Sequence, residues 1–157
     1  MAFPATTRDM LLVALSGAPR LLKGIVDRAP AGDPAWDRPV PGRFTAREHV
    51  AHLADWETVY LDRFARTLAE DVPTLLNYDE TERAAEQGYS SADPTLSASV
   101  FAERRVQTVS FLRTVPEDRW ARVGLHPQIG PMTLEVQVAH VAAHDGYHLE
   151  FLTANLP

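Results

Sequence analysis

Residues 139–151 read A-H-V-A-A-H-D-G-Y-H-L-E-F, and this stretch holds three of the six histidines in the chain. His140, His144 and His148 follow one another at intervals of four residues, which places them near one face of an α-helix. Two imidazoles with this spacing can bind the same divalent cation. The stretch therefore predicts a helix that contributes a histidine pair to a metal site.

The apolar residues of this predicted helix indicate which histidines face the interior. Leu134 and Leu152, with the valines between them, define the core direction on a helical wheel. His148 lies close to that direction, His144 lies further from it, and His140 lies furthest. His140 and His148 are about 12 Å apart along the axis, too far for both to bind one ion at about 2.1 Å. His144 and His148 are therefore the better inward pair.

A second histidine stretch, residues 45–57, reads T-A-R-E-H-V-A-H-L-A-D-W-E. Thr45 followed by Glu48 is a capping-box pattern, which predicts the start of a helix that runs to about residue 70. His49 and His52 lie at or beside its apolar stripe and are the natural candidates for a third ligand. The helical periodicity alone does not show which of these two histidines is the ligand.

Two carboxylates are candidates for orienting the ligands. Asp145 falls within the apolar face of the last helix, where a carboxylate needs a partner. It can accept the second N–H of a ligating histidine, or it can pair with an arginine or a tyrosine. Glu57 is a second candidate for the orienting role. No general base can be assigned, and the catalytic residues stay unknown.

The remaining patterns predict four main helices, at residues 6–28, 45–70, 95–114 and 134–154. Thr6 or Thr7 is the expected N-cap of the first, and Pro19 predicts a kink or brief break at residues 16–19. Residues 123–132 are expected to form a loop, and residues 75–80 either cross the mouth of a pocket or only pack on the surface. Trp36 is expected to pack onto the helices. The sequence predicts an all-α four-helix bundle, with one domain over residues 1–157.

Composition excludes several classes of protein. The net charge of −6, with a single lysine, argues against nucleic-acid binding. No apolar run reaches the roughly 20 residues of a membrane span, and the N-terminus lacks a signal-peptide pattern. The absence of cysteine excludes disulfides and thiolate metal sites. We therefore expect a soluble cytoplasmic protein whose metal ligands are His, Asp or Glu.

Together, the two histidine stretches resemble the DinB-like superfamily, which includes the YfiT-type proteins described as metal-dependent hydrolases. The resemblance implies an up-down-down-up four-helix bundle, commonly a homodimer, with a three-histidine site for nickel or zinc. The family's ligand on the second helix lies in an H-L-x-x-x-E context, which is His52 here. Its final H-x-x-x-H falls on His144 and His148. His49 and His140 are extra histidines and remain alternative ligands.

The resemblance also implies a range of activities. Some members resemble S-transferases or isomerases that use a low-molecular-weight thiol such as bacillithiol or mycothiol. The first hypothesis is therefore a metal-dependent transferase or hydrolase that acts on a small molecule. Its metal would lower the pKa of a bound water or thiol. The alternative is a non-catalytic ligand-binding or stress-associated bundle in which the histidines are structural or hold an inert metal.

Overall fold

The computed structural model describes residues 3–157, and within them four long helices form the bundle that the sequence predicts. The helices are α1 (Ala5–Val26), α2 (Ala46–Ala69), the short α3 (Glu80–Glu86), α4 (Pro94–Arg113) and α5 (Leu134–Asn155). Single turns of 3-10 helix lie at Pro34–Asp37, Tyr89–Ser91 and Glu117–Arg119. Two short strands, β1 (Val123–His126) and β2 (Gly130–Thr133), precede α5. No helix in this part of the chain has the length and apolarity needed to span a bilayer.

The packing sets α1 and α2 each against both α4 and α5, which provide their main contacts. Apolar side chains from all four fill the interior, and Trp36 is fully buried against them, as predicted. The consequence for function is that α2 and α5, which carry the two histidine stretches, lie side by side.

The helix starts follow the sequence closely, with one exception. Thr45 and Glu48 form the predicted capping box, and Thr133 caps α5. The prediction of a Thr6 or Thr7 cap is wrong, because α1 begins at Ala5, directly after Pro4. The Pro4 carbonyl accepts the backbone N–H of Thr7 at 2.9 Å, so the first turn forms upstream of the threonines.

Of the kink or brief break predicted near Pro19, the break is wrong, because residues 16–19 stay helical within a continuous α1. A proline has no N–H, so it cannot bond the carbonyl four residues earlier, which is that of Leu15. In the structure, the Leu15 carbonyl accepts a hydrogen bond from Nη1 of Arg105 on α4 at 3.2 Å. A tertiary contact thus replaces the hydrogen bond that proline removes.

Residues 123–132, predicted to be a loop, instead contain most of a β-hairpin. Val123 pairs with Thr133, and His126 pairs with Gly130, whose φ of 93° suits glycine at the turn. The backbone of Leu125 also bonds that of Pro73 and Leu75, at 2.8 and 2.9 Å. Strands of four residues are too short to show a clear alternation, which explains the wrong prediction.

The connection after α2 is held over the end of the bundle near the histidines. Asp55 of α2 accepts hydrogen bonds from Nε of Arg83 at 2.5 Å and from the hydroxyl of Tyr89 at 2.6 Å. Arg83 belongs to α3, so α3 is fixed against the middle of α2. This anchoring positions residues 77–81 beside the histidine helices.

Candidate metal centre

Three histidines direct their Nε2 atoms at one point between α2 and α5. Nε2 of His52 lies 2.9 Å from Nε2 of His144, and Nε2 of His148 lies 3.0 Å from the same atom. Each residue offers one nitrogen within 4.8 Å of the others. The structure therefore brings together the three residues that the family resemblance singled out.

The electrostatic environment keeps these imidazoles neutral. His52 and His148 are almost fully buried. Burial, reinforced by the neighbouring histidines, lowers the pKa of each of these two residues to about 2. Burial also lowers the pKa of His144 well below its usual value. A neutral imidazole has a lone pair available for a metal, whereas an imidazolium has none.

The arrangement fits a divalent cation. Ligands bound to zinc at about 2.1 Å in a tetrahedron are separated by about 3.4 Å. The observed separations of 2.9 and 3.0 Å are slightly shorter, so only a small movement of the rings would admit an ion. A site of three imidazoles suits zinc or nickel among the common divalent metals.

His49 contacts a candidate ligand without joining the cluster. Its Nδ1 lies 2.5 Å from Nδ1 of His148, on the side of that ring opposite Nε2. The His49 ring is buried and packs on Phe151, with a centroid distance of 3.9 Å. Burial, followed by the charge of Arg43, lowers the pKa of His49 to about 4. His49 is therefore placed to bond the second nitrogen of a metal ligand.

The other histidines lie outside the cluster. His140 is exposed on α5, in agreement with its outward position on the helical wheel. His126 ends β1, and its Nδ1 accepts the backbone N–H groups of Gln128 and Ile129 at 3.2 and 3.3 Å. Both histidines border a cavity that also reaches His144.

Asp145 and Glu57, the predicted orienting carboxylates, both bind Arg105. Nη1 of Arg105 donates to Asp145 at 2.5 Å, and its Nη2 donates to Glu57 at 2.6 Å. Thr108 adds a hydrogen bond to Glu57 at 2.9 Å. Among residues 3–157, neither carboxylate forms a hydrogen bond with a histidine. Asp145 therefore follows the second alternative left open by the sequence, which is a pair with an arginine.

Two cavities meet at His144. The first, named here the Arg43 cavity, has a volume of about 480 Å³ and is also bordered by Phe44, His49, Tyr147 and His148. The second, named the Arg63 cavity, has a volume of about 410 Å³ and is also bordered by Trp56, Tyr60 and Tyr78. Glu80 and Thr81 border both cavities. The segment expected to cross a pocket mouth therefore does lie beside the histidines.

Comparisons with known proteins agree with this geometry. The family model of the DinB superfamily matches residues 14–152. The chain is 28% identical over 148 residues to the Bacillus subtilis protein named "Putative metal-dependent hydrolase YfiT", a match that covers 93% of this chain and 82% of that protein. It is 26% identical over 113 residues to "Putative metal-dependent hydrolase OB0782" of Oceanobacillus iheyensis, covering 72% of this chain and 65% of that protein.

A solved structure extends the agreement to three dimensions. The structure of YfiT from Bacillus subtilis, described as a "probable metal-dependent hydrolase with an unusual four-helix bundle topology", superposes with a TM-score of 0.84. It covers 98% of this chain and 89% of its own, at 28% identity. Because the family model spans most of the sequence and the fold agrees, the chain belongs to the DinB superfamily.

Proposed function

We propose that this protein is a metal-dependent enzyme, a thiol-dependent S-transferase or a hydrolase, that acts on a small molecule. His52, His144 and His148 hold a divalent cation, zinc or nickel. The observation that carries the proposal is the convergence of three neutral Nε2 atoms, one of which belongs to His144 at the wall of two cavities. The names of the relatives support the same assignment at the level of metal-dependent hydrolysis.

Three protein ligands are the number typical of catalytic zinc sites, whereas structural sites usually have four. The chemistry that a bound divalent cation supplies is Lewis-acid activation, which lowers the pKa of a water molecule or a thiol that reaches it. The family resemblance favours a low-molecular-weight thiol as the second cofactor. The homodimer implied by the resemblance and the cytoplasmic location expected from composition remain predictions, as does the single domain over residues 1–157.

His49 acts as the positioning residue for His148 in this proposal. When Nε2 of His148 presents its lone pair, the ring proton resides on Nδ1 and can be donated to Nδ1 of His49. Such a bond fixes both the tautomer and the orientation of a ligand. Asp145 and Glu57 contribute through Arg105, by holding α5 and α2 against α4.

Metal analysis of untagged protein tests the site. We expect about one zinc or nickel ion per chain in the wild type and its loss in His52→Ala and His148→Ala. His140→Ala is the matched control, because it removes an exposed histidine from the same helix as His148 and should retain the ion. A folded wild type without metal, or equal metal in all four proteins, would contradict the proposal and favour structural histidines.

Activity is tested on the metal-loaded protein. A chromogenic electrophile with a small thiol reports S-transfer, and a chromogenic ester reports hydrolysis. We expect one of these reactions in the wild type and in His140→Ala, and its loss in His144→Ala. If neither reaction occurs although the metal is present, the non-catalytic alternative is supported.

The role of His49 is tested by metal affinity. His49→Phe keeps an aromatic ring against Phe151 but removes the acceptor for His148. Loss of an outer hydrogen-bond partner typically weakens metal binding by about 10–100-fold, which a competition titration with a chelator measures. His49→Gln restores an acceptor and should recover part of the affinity. Equal affinity in the wild type and His49→Phe would show that His49 only fills space.

A further inference from the structure

We propose that the Arg63 cavity is a subsite for the carboxylate of a small monocarboxylic acid whose far end reaches the histidine cluster. The placement of that far end rests on the proposed function above, whereas the carboxylate subsite stands on the surroundings of Arg63. The inference therefore adds a substrate class to the proposed reaction.

Arg63 is a buried cation whose side chain retains hydrogen-bonding capacity. Its side chain is 5% exposed, and its Nε donates to the Leu76 carbonyl at 2.7 Å. Its Nη2 is buried, with no hydrogen-bond partner among residues 3–157. The guanidinium lies over the rings of Trp56 and Tyr60, at 5.4 and 5.8 Å from their centroids. These contacts fix the position of the guanidinium beside the cavity.

No carboxylate within residues 3–157 forms an ion pair with Arg63. Burial lowers the pKa of Arg63, which shows that the surroundings disfavour its charge. A buried cation without an anionic partner is unfavourable, and a guanidinium presents donors in a fork that matches a carboxylate. Asp62 on the same helix favours the charged form of Arg63 but forms no ion pair with it, so a bound carboxylate would supply the paired anion that the described residues lack.

The acidic residues at the cavity restrict the charge of the ligand. The Asp79 side chain caps α3 by accepting the backbone N–H groups of Thr81 and Glu82, at 2.9 and 3.0 Å. Burial, reinforced by Asp79, raises the pKa of Glu80. A ligand with several negative charges would be repelled by these two side chains. Trp56, Tyr60 and Tyr78 also line the cavity and can contact an aromatic ring, so an aromatic monocarboxylate is a suitable probe of the subsite.

A small void beside Arg63 offers a competing partner for Nη2. Arg63 and Gln137 both border a void of about 10 Å³, and Oε1 of Gln137 is also buried without a hydrogen bond. A void of this size holds at most about one water molecule, which could bridge the two side chains. The Arg63 cavity, at about 410 Å³, falls within the usual size range of ligand sites.

The test compares benzoate with its neutral analogue benzamide by calorimetric titration of both metal-free and zinc-loaded protein. We expect wild type to bind benzoate at least tenfold more tightly than benzamide, and Arg63→Gln to lose this preference. Arg66→Gln is the matched control, because Arg66 lies one turn away on α2, is more exposed and pairs with Glu70. No saturable binding of benzoate, or the same preference in Arg63→Gln, would overturn the proposal.

The metal-free arm separates this inference from the proposed function. A benzoate preference that persists without metal supports the subsite even if the histidines hold no ion. The zinc-loaded arm adds 3-mercaptopropionate, whose carboxylate would represent that of a thiol cofactor. If Arg63→Gln weakens the binding of benzoate, the subsite belongs to the substrate, as we propose. If Arg63→Gln weakens the binding of the thiol alone, that assignment is overturned.

A binding measurement on the wild-type protein keeps the proposal testable if Arg63→Gln does not fold. The Nε–H signal of Arg63 in a nitrogen-15 NMR spectrum, assigned with the Arg63→Lys variant, should shift on addition of benzoate and stay unchanged with benzamide. A signal that benzoate leaves in place would overturn the proposal.

Discussion

Two arginines are buried near the candidate metal centre, and they are compensated in opposite ways. Arg105 is 1% exposed and Arg63 is 5% exposed, and both lie on long helices of the bundle. Arg105 forms ion pairs with Glu57 and Asp145, whereas Arg63 pairs with no carboxylate among the described residues. The difference indicates that one cation stabilises the bundle and the other remains available for a ligand.

The environment of Arg105 overcomes the cost of its burial. Burial acts to lower the pKa of Arg105, but the hydrogen bonds that Arg105 donates to Glu57 and Asp145 raise it overall. Its donors also reach the Leu15 carbonyl that Pro19 leaves without a helical partner. Arg105 thus links all four long helices, including the two that carry the candidate ligands.

The largest predicted effect comes from removing Arg105. Arg105→Met leaves two carboxylates buried without a counter-charge. Removing one partner of a buried ion pair lowers the free energy of unfolding by about 3–5 kcal/mol. Urea denaturation of the metal-free protein measures the loss. Arg113→Met, on the exposed side of α4, is the control and should change stability by about 0.5 kcal/mol or less. A loss below about 1 kcal/mol in Arg105→Met would contradict the view of Arg105 as the structural arginine.

The buried histidines of the candidate metal centre lead to a prediction about acid. His52 and His148 have folded-state pKa values of about 2. In the unfolded chain they bind protons below about pH 6.5, so the metal-free folded state loses stability as the pH falls from about 6.5. Each contributes a loss of about 1.4 kcal/mol per pH unit, and none of this loss occurs above about pH 7.

Denaturation at a series of pH values checks this slope. His52→Phe removes one titrating group and should reduce the slope by about 1.4 kcal/mol per pH unit below pH 6. His140→Phe, which removes the exposed histidine beside the Arg63 cavity, should change it much less. Equal slopes in His52→Phe and wild type would show that His52 is protonated in the folded state.

A smaller effect is expected from removing Arg63. Arg63→Met loses the hydrogen bond to the Leu76 carbonyl, but it also removes a buried cation that lacks a carboxylate. These effects oppose each other, so we expect a loss of about 1 kcal/mol or less in urea denaturation. A loss as large as that of Arg105→Met would identify Arg63 as a structural residue and remove the contrast between the two arginines.

Sequence patterns identified the elements that this comparison depends on, but not the arginines themselves. The histidine spacing and the capping box placed His52, His144 and His148 on two amphipathic helices, and the structure brings the three together. The patterns also drew attention to Asp145, because a carboxylate on an apolar face needs a partner. An arginine or a tyrosine was an expected partner, but the sequence does not show that Arg105, forty residues earlier, is the one that pairs with Asp145.

Helical spacing contains the missing signal. Arg105 lies four residues after Phe101 and four before Val109, both of which are buried on α4. Arg63 lies three residues after Tyr60 on the buried face of α2. A charged residue at such a position predicts a buried ion pair or a binding group. Only the tertiary structure shows which of these two it is, because the partners come from distant parts of the chain.

The hairpin and the intact α1 were missed for a related reason. The hairpin is fixed by hydrogen bonds to residues 73–75, and glycine at position 124 allows that contact. A Cβ atom there would approach the Leu75 side chain to 2.7 Å. Pro19 is tolerated because Arg105 bonds the carbonyl of Leu15. In both places a long-range hydrogen bond overrides the local preference of the sequence.

The smallest predicted effect concerns the histidines that border Arg63. Burial, followed by the charge of Arg63, lowers the pKa of His126 and of His140. Arg63→Met removes the cation and should raise both pKa values, which NMR titration of the ring protons would measure in metal-free protein. Arg63→Lys keeps a positive charge and should leave both pKa values low, although it loses the guanidinium fork. A rise in both variants would mean that the side-chain shape of Arg63, and not its charge, controls these histidines. A rise in Arg63→Met alone would show that an uncompensated charge acts across the cavity, which is the property that a carboxylate ligand would use.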